Sequence, residues 1–139
     1  NRRRTDYLCR SIYLPVIRND LPEIFEAFDF ADPHVVTGAR TQTLDATQGL
    51  YLMNDRMVVE AAEAAAKRIL GEDVPGGDRG RIDWLFVSMF GVPATDEECE
   101  EILAFIRETG NRGSAEGREQ AWASACHAML SMSRFQFLD

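Results

Sequence analysis

Apolar positions follow a helical period along most of the chain, but one stretch near the start alternates instead. Over residues 7–18, Ile12, Leu14 and Val16 oppose Tyr13 and Pro15, a period-two pattern that predicts an extended arm. Pro15 lacks a backbone donor, so the arm belongs at an edge or outside any sheet. No second strand-like run is available to pair with it. The arm is therefore expected to lie over helices, to pair with a small piece elsewhere, or to meet protein beyond this chain.

Helical patterning takes over directly after "RND". Asp20 is an expected N-cap with Glu23 at capping-box spacing, Pro22 fits the first turn, and Leu21, Ile24, Phe25 and Phe28 form one apolar face. Pro33 stops this helix by restricting the residue before it. A loop over residues 31–44 carries His34, Thr37, Gly38 and Arg40. Asp45 with Gln48 then opens a short helix through Leu50 and Met53. Asn54 and Asp55 cap the next, which runs through Val58, Ala62, Ala65 and Ile69 to Gly71 and has an alanine-rich middle suited to close packing. "GEDVPGGDRG" reads as a mobile loop. Ile82, Leu85, Phe86, Met89 and Phe90 make a further stripe ending at Gly91. Thr95 and Glu98 form a capping box before Cys99, Ile102, Leu103 and Ile106, and Gly110 ends that helix. The last helix carries Trp122, Ala125, Cys126, Met129 and Leu130, and "SRFQFLD" alternates again, with Phe135 and Phe137 on one side. Six helical segments and no sheet predict an all-α domain over residues 1–139, a compact bundle with an extended N-terminal arm.

Composition narrows the function more than it names it. A chain of 139 residues suits one domain, and a net charge of -8 opposes nucleic acid and anionic membranes. "NRRRT" is a local basic exception, read either as a solvated end or as a phosphate contact. Cys9, Cys99 and Cys126 are too few and too scattered for a disulfide framework, and no Cys/His spacing provides a zinc or haem ligand set. No cofactor is expected in this chain. No segment approaches the roughly 20 apolar residues of a membrane span. An opening such as "NRRRTDYL" reads as part of a larger chain, so the lack of a leader says little about compartment.

The polar residues of interest are Arg10, Arg18, Asn19, Asp29, Asp32, Arg40, Thr47, Gln48 and Asn54, which sit inside or beside apolar runs where lack of a partner is costly. Two readings compete. In the structural one, Arg10 or Arg18 pins the arm to Asp29 or Asp32 while Ile12, Leu14 and Val16 cover the helices. In the functional one, the same residues grip an anionic or sugar ligand. A catalytic carboxylate pair, Asp29 with Asp32, requires a separation and a pKa difference that spacing does not provide. His34 and His127 have no neighbours at metal-ligand spacing, and the methionines fit core packing better than a haem or copper site. "TDEECEE" is a capped helix start rather than a calcium loop.

Three motifs in order carry a family resemblance: "RSIYLPVIRNDLPEIFEAFDFADP", "ATQGLYLMN" and "AWASACHAMLSMSRFQFLD". They resemble the C-terminal domain of unknown function of large exported planctomycete-type proteins that carry an N-terminal c-type cytochrome domain. "GVPATDEE" resembles the family's "R-x-P-T-x-x-E" opening, whereas Ala46, Thr47, Gln48 and Gly49 stand where the family has proline before "TQAL". The resemblance implies an extracytoplasmic location and haem in an upstream domain only. It also implies partners among upstream domains of the same protein or another protein. It supplies no catalytic residues. The function expected is a non-catalytic structural or interaction module, with an extracytoplasmic enzyme or carbohydrate- or anion-binding domain as the alternative.

Overall fold

The computed structural model describes residues 10–36, 38, 46–110 and 114–136. Among them are seven α-helices, no strand and a single short turn of 3₁₀-helix, so the all-α class holds. The helices are α1 (Glu23–Ala27), α2 (Ala46–Asn54), α3 (Arg56–Gly71), α4 (Gly77–Phe90), α5 (Asp96–Thr109), α6 (Ala115–Leu130) and α7 (Ser133–Gln136). The chain divides into two compact units, Asn1–Tyr51 and Leu52–Asp139.

The second unit holds most of the apolar core. Asp55 caps α3 by accepting a hydrogen bond from the Met57 amide at 2.9 Å. One face of α3 then buries Val58, Ala62, Ala66 and Ile69. The predicted stripe named Ala65, but the helical repeat favours Ala66, and Ala65 is only partly buried. α6 lies along this face with Ala121, Ala123 and Ala125, small side chains that let two helix backbones approach. Trp122, Phe86, Ile69, Ile82, Leu85, Met129, Cys99 and Cys126 are the largest fully enclosed side chains. Burying residues of this size contributes about 1.5–3 kcal/mol each. The indole Nε1 of Trp122 is buried with no acceptor among the described residues, a cost set against that gain.

Caps define the remaining ends. Thr95 and Glu98 complete the predicted capping box, the Glu98 amide donating to Thr95 Oγ1 at 3.2 Å and the Thr95 amide to Glu98 Oε2 at 2.7 Å. Ser114 caps α6 through the Gly117 amide at 2.8 Å.

Three expectations change. "GEDVPGGDRG" is a loop only as far as Gly76, and Gly77, Asp78, Arg79 and Gly80 form the first turn of α4. Gly80 is required there, since a Cβ would fall on the Pro75 carbonyl oxygen. "SRFQ" is the one-turn helix α7 rather than a strand-like tail, because Phe135 turns back to meet the Phe90 ring edge-on at 6.5 Å. Phe137 lies outside the described residues. Finally, Asp20 does not cap α1. Pro22 occupies that position without a side-chain bond, while Asp20 closes a tight turn by donating its amide to the Ile17 carbonyl at 3.0 Å.

Candidate functional site

The first unit holds most of the polar residues singled out from sequence. Its arm is extended at Arg10 and Leu14 and interrupted by the 3₁₀ turn Ser11–Tyr13. The turn breaks the period-two pattern and leaves Ile12 83% and Tyr13 76% exposed. Ile12 and Val16 therefore do not cover helices as expected; both are exposed, and Leu14 is half-buried. α1 is only five residues long and buries Phe25. It ends before Pro33 because Asp29 adopts a left-handed conformation, φ 50°, at a position where glycine is usual. That conformation turns the chain back so that the Phe30 amide donates to the Phe25 carbonyl at 2.9 Å. The Phe30 ring then stacks on Phe25 with centroids 4.5 Å apart. This is the Schellman pairing of a helix end, with its usual apolar contact made here by two rings.

α2 supplies the second wall of polar residues. Gln48 is 6% exposed and donates from Nε2 to Asp29 Oδ2 at 3.3 Å. Tyr51 meets Phe28 edge-on at 5.8 Å. Asp29, Gln48, Phe28 and Tyr51 thus form one small polar–aromatic group. Beside Phe28 and Phe30, a cavity of about 500 Å³ is lined also by Ser11, Ile12, Ile24 and Phe25. Among the described residues its lining is apolar and aromatic apart from the Ser11 hydroxyl.

Arg10, Arg18, Asn19 and Asp32 do not join this group. Arg10, Arg18 and Asn19 are exposed, and neither guanidinium makes an ion pair or side-chain hydrogen bond among the described residues. The expected clamp from Arg10 or Arg18 to Asp29 or Asp32 is therefore absent; the turns at Ser11–Tyr13 and Ile17–Asp20 face both side chains outward. Asp32 instead accepts the His34 amide at 2.9 Å. The His34 ring donates from Nε2 to the Arg18 carbonyl at 3.0 Å, stitching residues 32–36 to the Ile17–Asp20 turn. Thr47 and Asn54 are exposed, and Arg40 lies outside the described residues.

The second unit contains polar contacts that patterning did not predict. Arg81 donates from Nε to the Ile69 carbonyl at 3.2 Å and from Nη2 to the Glu72 carbonyl at 3.4 Å, satisfying carbonyls at the end of α3. Its Nη1 reaches Asp78 at 3.1 Å, and Arg118 meets the same carboxylate at 2.6 Å. Arg134 bonds Glu98 at 2.9 Å and lies over the Phe90 ring at 5.2 Å. His127 donates from Nε2 to the Leu52 carbonyl at 2.9 Å. An arginine inside the apolar stripe of α4 was the one sequence signal for the Arg81 contacts. Burial pushes the Cys126 thiol up to about 11 and raises that of Cys99, so neither is a ready nucleophile. No group of three or more His, Cys, Asp or Glu side chains among the described residues is arranged to hold a metal ion.

A family model described as PSD1, protein of unknown function (DUF1553), matches residues 1–106. The chain belongs to this family. The match takes in the whole of the first unit of this DUF1553 chain and the second unit through Ile106 of α5. No curated protein and no solved structure matches the chain.

Proposed function

We propose that this DUF1553 chain is a non-catalytic docking module whose first unit provides the contact surface. Exposure of large apolar side chains carries the reading: Ile12, Tyr13, Val35 and Val36 are 83, 76, 62 and 102% exposed. Val16, Ile17 and Leu50 add to them. Single exposed apolar residues are ordinary, but four within residues 12–17 and two more at 35–36 suit a surface that another protein covers. The His34 bond to the Arg18 carbonyl supports this by bringing the segment bearing Val35 and Val36 to the turn that bears Ile17.

The resemblance in the three motifs extends the proposal to its setting: an exported protein with an upstream c-type cytochrome domain, which would carry the haem and serve as the partner. The test is sedimentation of the purified chain with that upstream portion. Val16→Asp with Val36→Asp should abolish the complex and leave the melting temperature unchanged, since both side chains are exposed. A complex indifferent to both substitutions rejects the reading.

A second reading, a carbohydrate- or anion-binding domain, draws on the Asp29–Gln48 hydrogen bond and on the cavity lined by Phe25, Phe28 and Phe30, flat apolar and polar groups of the kinds that suit a sugar. It predicts sugar binding measurable by calorimetry, abolished by Gln48→Ala in a chain that remains folded.

A further inference from the structure

Unpartnered charge at the exposed apolar segment says what kind of surface would cover it. Arg10 opens the turn that presents Ile12 and Tyr13, with the Tyr13 amide donating to its carbonyl at 2.9 Å. Arg18 lies inside the turn that follows Val16 and Ile17, and its carbonyl anchors the His34 segment at 3.0 Å. Both guanidiniums are exposed and without an ion pair among the described residues. Among the described residues no aspartate or glutamate forms an ion pair with either arginine, and Asp32 accepts the His34 amide. In the second unit most arginines are paired: Arg56, Arg68, Arg79, Arg81, Arg118 and Arg134 each meet an aspartate or glutamate, and Arg107 is the exception among the described residues.

Arginine and tyrosine are the side chains that most often dominate protein interfaces, and arginine's planar fork matches a carboxylate. We infer that the surface formed by Ile12, Tyr13, Val16, Ile17 and Val36 docks an apolar protein surface edged with carboxylates, which Arg10 and Arg18 grip. The inference rests on the docking reading above and adds the partner's chemistry to it. That chemistry runs against the chain's net charge of -8, which on its own favours a basic partner.

The opposition of local and net charge makes the test decisive. Two short amphipathic helical peptides, one of Leu and Glu and one of Leu and Lys, are titrated into the chain at physiological salt and followed by fluorescence anisotropy. The Leu/Glu peptide is expected to bind about five- to tenfold more tightly, the effect of two exposed ion pairs. Arg10→Glu with Arg18→Glu should invert the order. Tighter binding of the Leu/Lys peptide to the unaltered chain overturns the partner chemistry. If Val16→Asp with Val36→Asp still weakens that binding, the docking reading survives. Binding of neither peptide, or binding unaffected by Val16→Asp with Val36→Asp, rejects the docking reading and the inference with it.

Discussion

Replacing Gly80 by alanine and Gly49 by alanine should move stability in opposite directions, although both glycines lie inside helices. Helix propensity alone predicts a gain of about 0.8–1.0 kcal/mol at either site. At Gly49 in α2 nothing lies within 4 Å of an added Cβ, so the gain should appear nearly undiminished. At Gly80 in α4 the Cβ would fall on the Pro75 carbonyl oxygen and within 3.0 Å of its carbon. That oxygen cannot swing aside easily. Proline fixes its own φ, and Gly76 and Gly77 already hold φ of 88° and 63°. Relieving an overlap with backbone costs about 1–3 kcal/mol, and the shift also endangers the bond from the Gly80 amide to the Gly76 carbonyl at 3.4 Å, worth about 1 kcal/mol. After subtracting the propensity gain, Gly80→Ala should lose about 1–3 kcal/mol, a fall in melting temperature of about 4 °C or more. Urea and thermal melts followed by circular dichroism measure both variants. If Gly80→Ala is as stable as the unaltered chain, the close approach at Pro75 is not the reason for glycine there.

Arg81→Ala should destabilise by about 2 kcal/mol in urea melts because it strips the end of α3 of two partners, whereas Arg118→Ala, which loses one half-exposed ion pair, should change stability by less than about 1 kcal/mol. The backbone amide of Thr95 holds the Glu98 carboxyl below the usual carboxylate range; burial opposes it, and the Thr95 hydroxyl and Arg134 add to the lowering. A lowered pKa in the folded state means that this contribution is present above the unfolded value and is lost as pH falls through the folded one. Melting temperatures taken between neutral and acid pH should therefore fall less steeply for Glu98→Gln, and parallel curves would show that the carboxylate contributes nothing. With its thiol raised to about 11 by burial, Cys126 should resist iodoacetamide at pH 8 until the chain is unfolded, as read by peptide mass spectrometry.

Local chemistry was legible in the sequence, and tertiary chemistry was not. Thr95 with Glu98 and Asp55 could be identified as caps because a cap is decided within four residues. The stripes of α3, α4 and α6 were legible for the same reason, to within the Ala65–Ala66 shift. Asp29 was read as a polar candidate but not as a helix end, since aspartate in a left-handed conformation is the exception to a pattern written in glycine. The Gly80 approach to Pro75 was hidden because glycine-rich composition looks the same in a mobile loop and in a tightly packed helix start. In the first unit, sequence placed Arg10 and Arg18 around an apolar arm but gave no direction to their side chains. Two turns, one at Ser11–Tyr13 and one at Ile17–Asp20, turn an expected clamp into an outward-facing surface.

Hydroxyl-radical footprinting of Ile12 and Tyr13, in the isolated chain and in the full-length exported protein to which it is proposed to belong, tests the docking surface most directly. Rapid modification of both side chains is expected in the isolated chain, and strong protection in the longer protein. Protection should be lost when Val16→Asp and Val36→Asp are introduced. Equal modification of Ile12 and Tyr13 in both settings would contradict it.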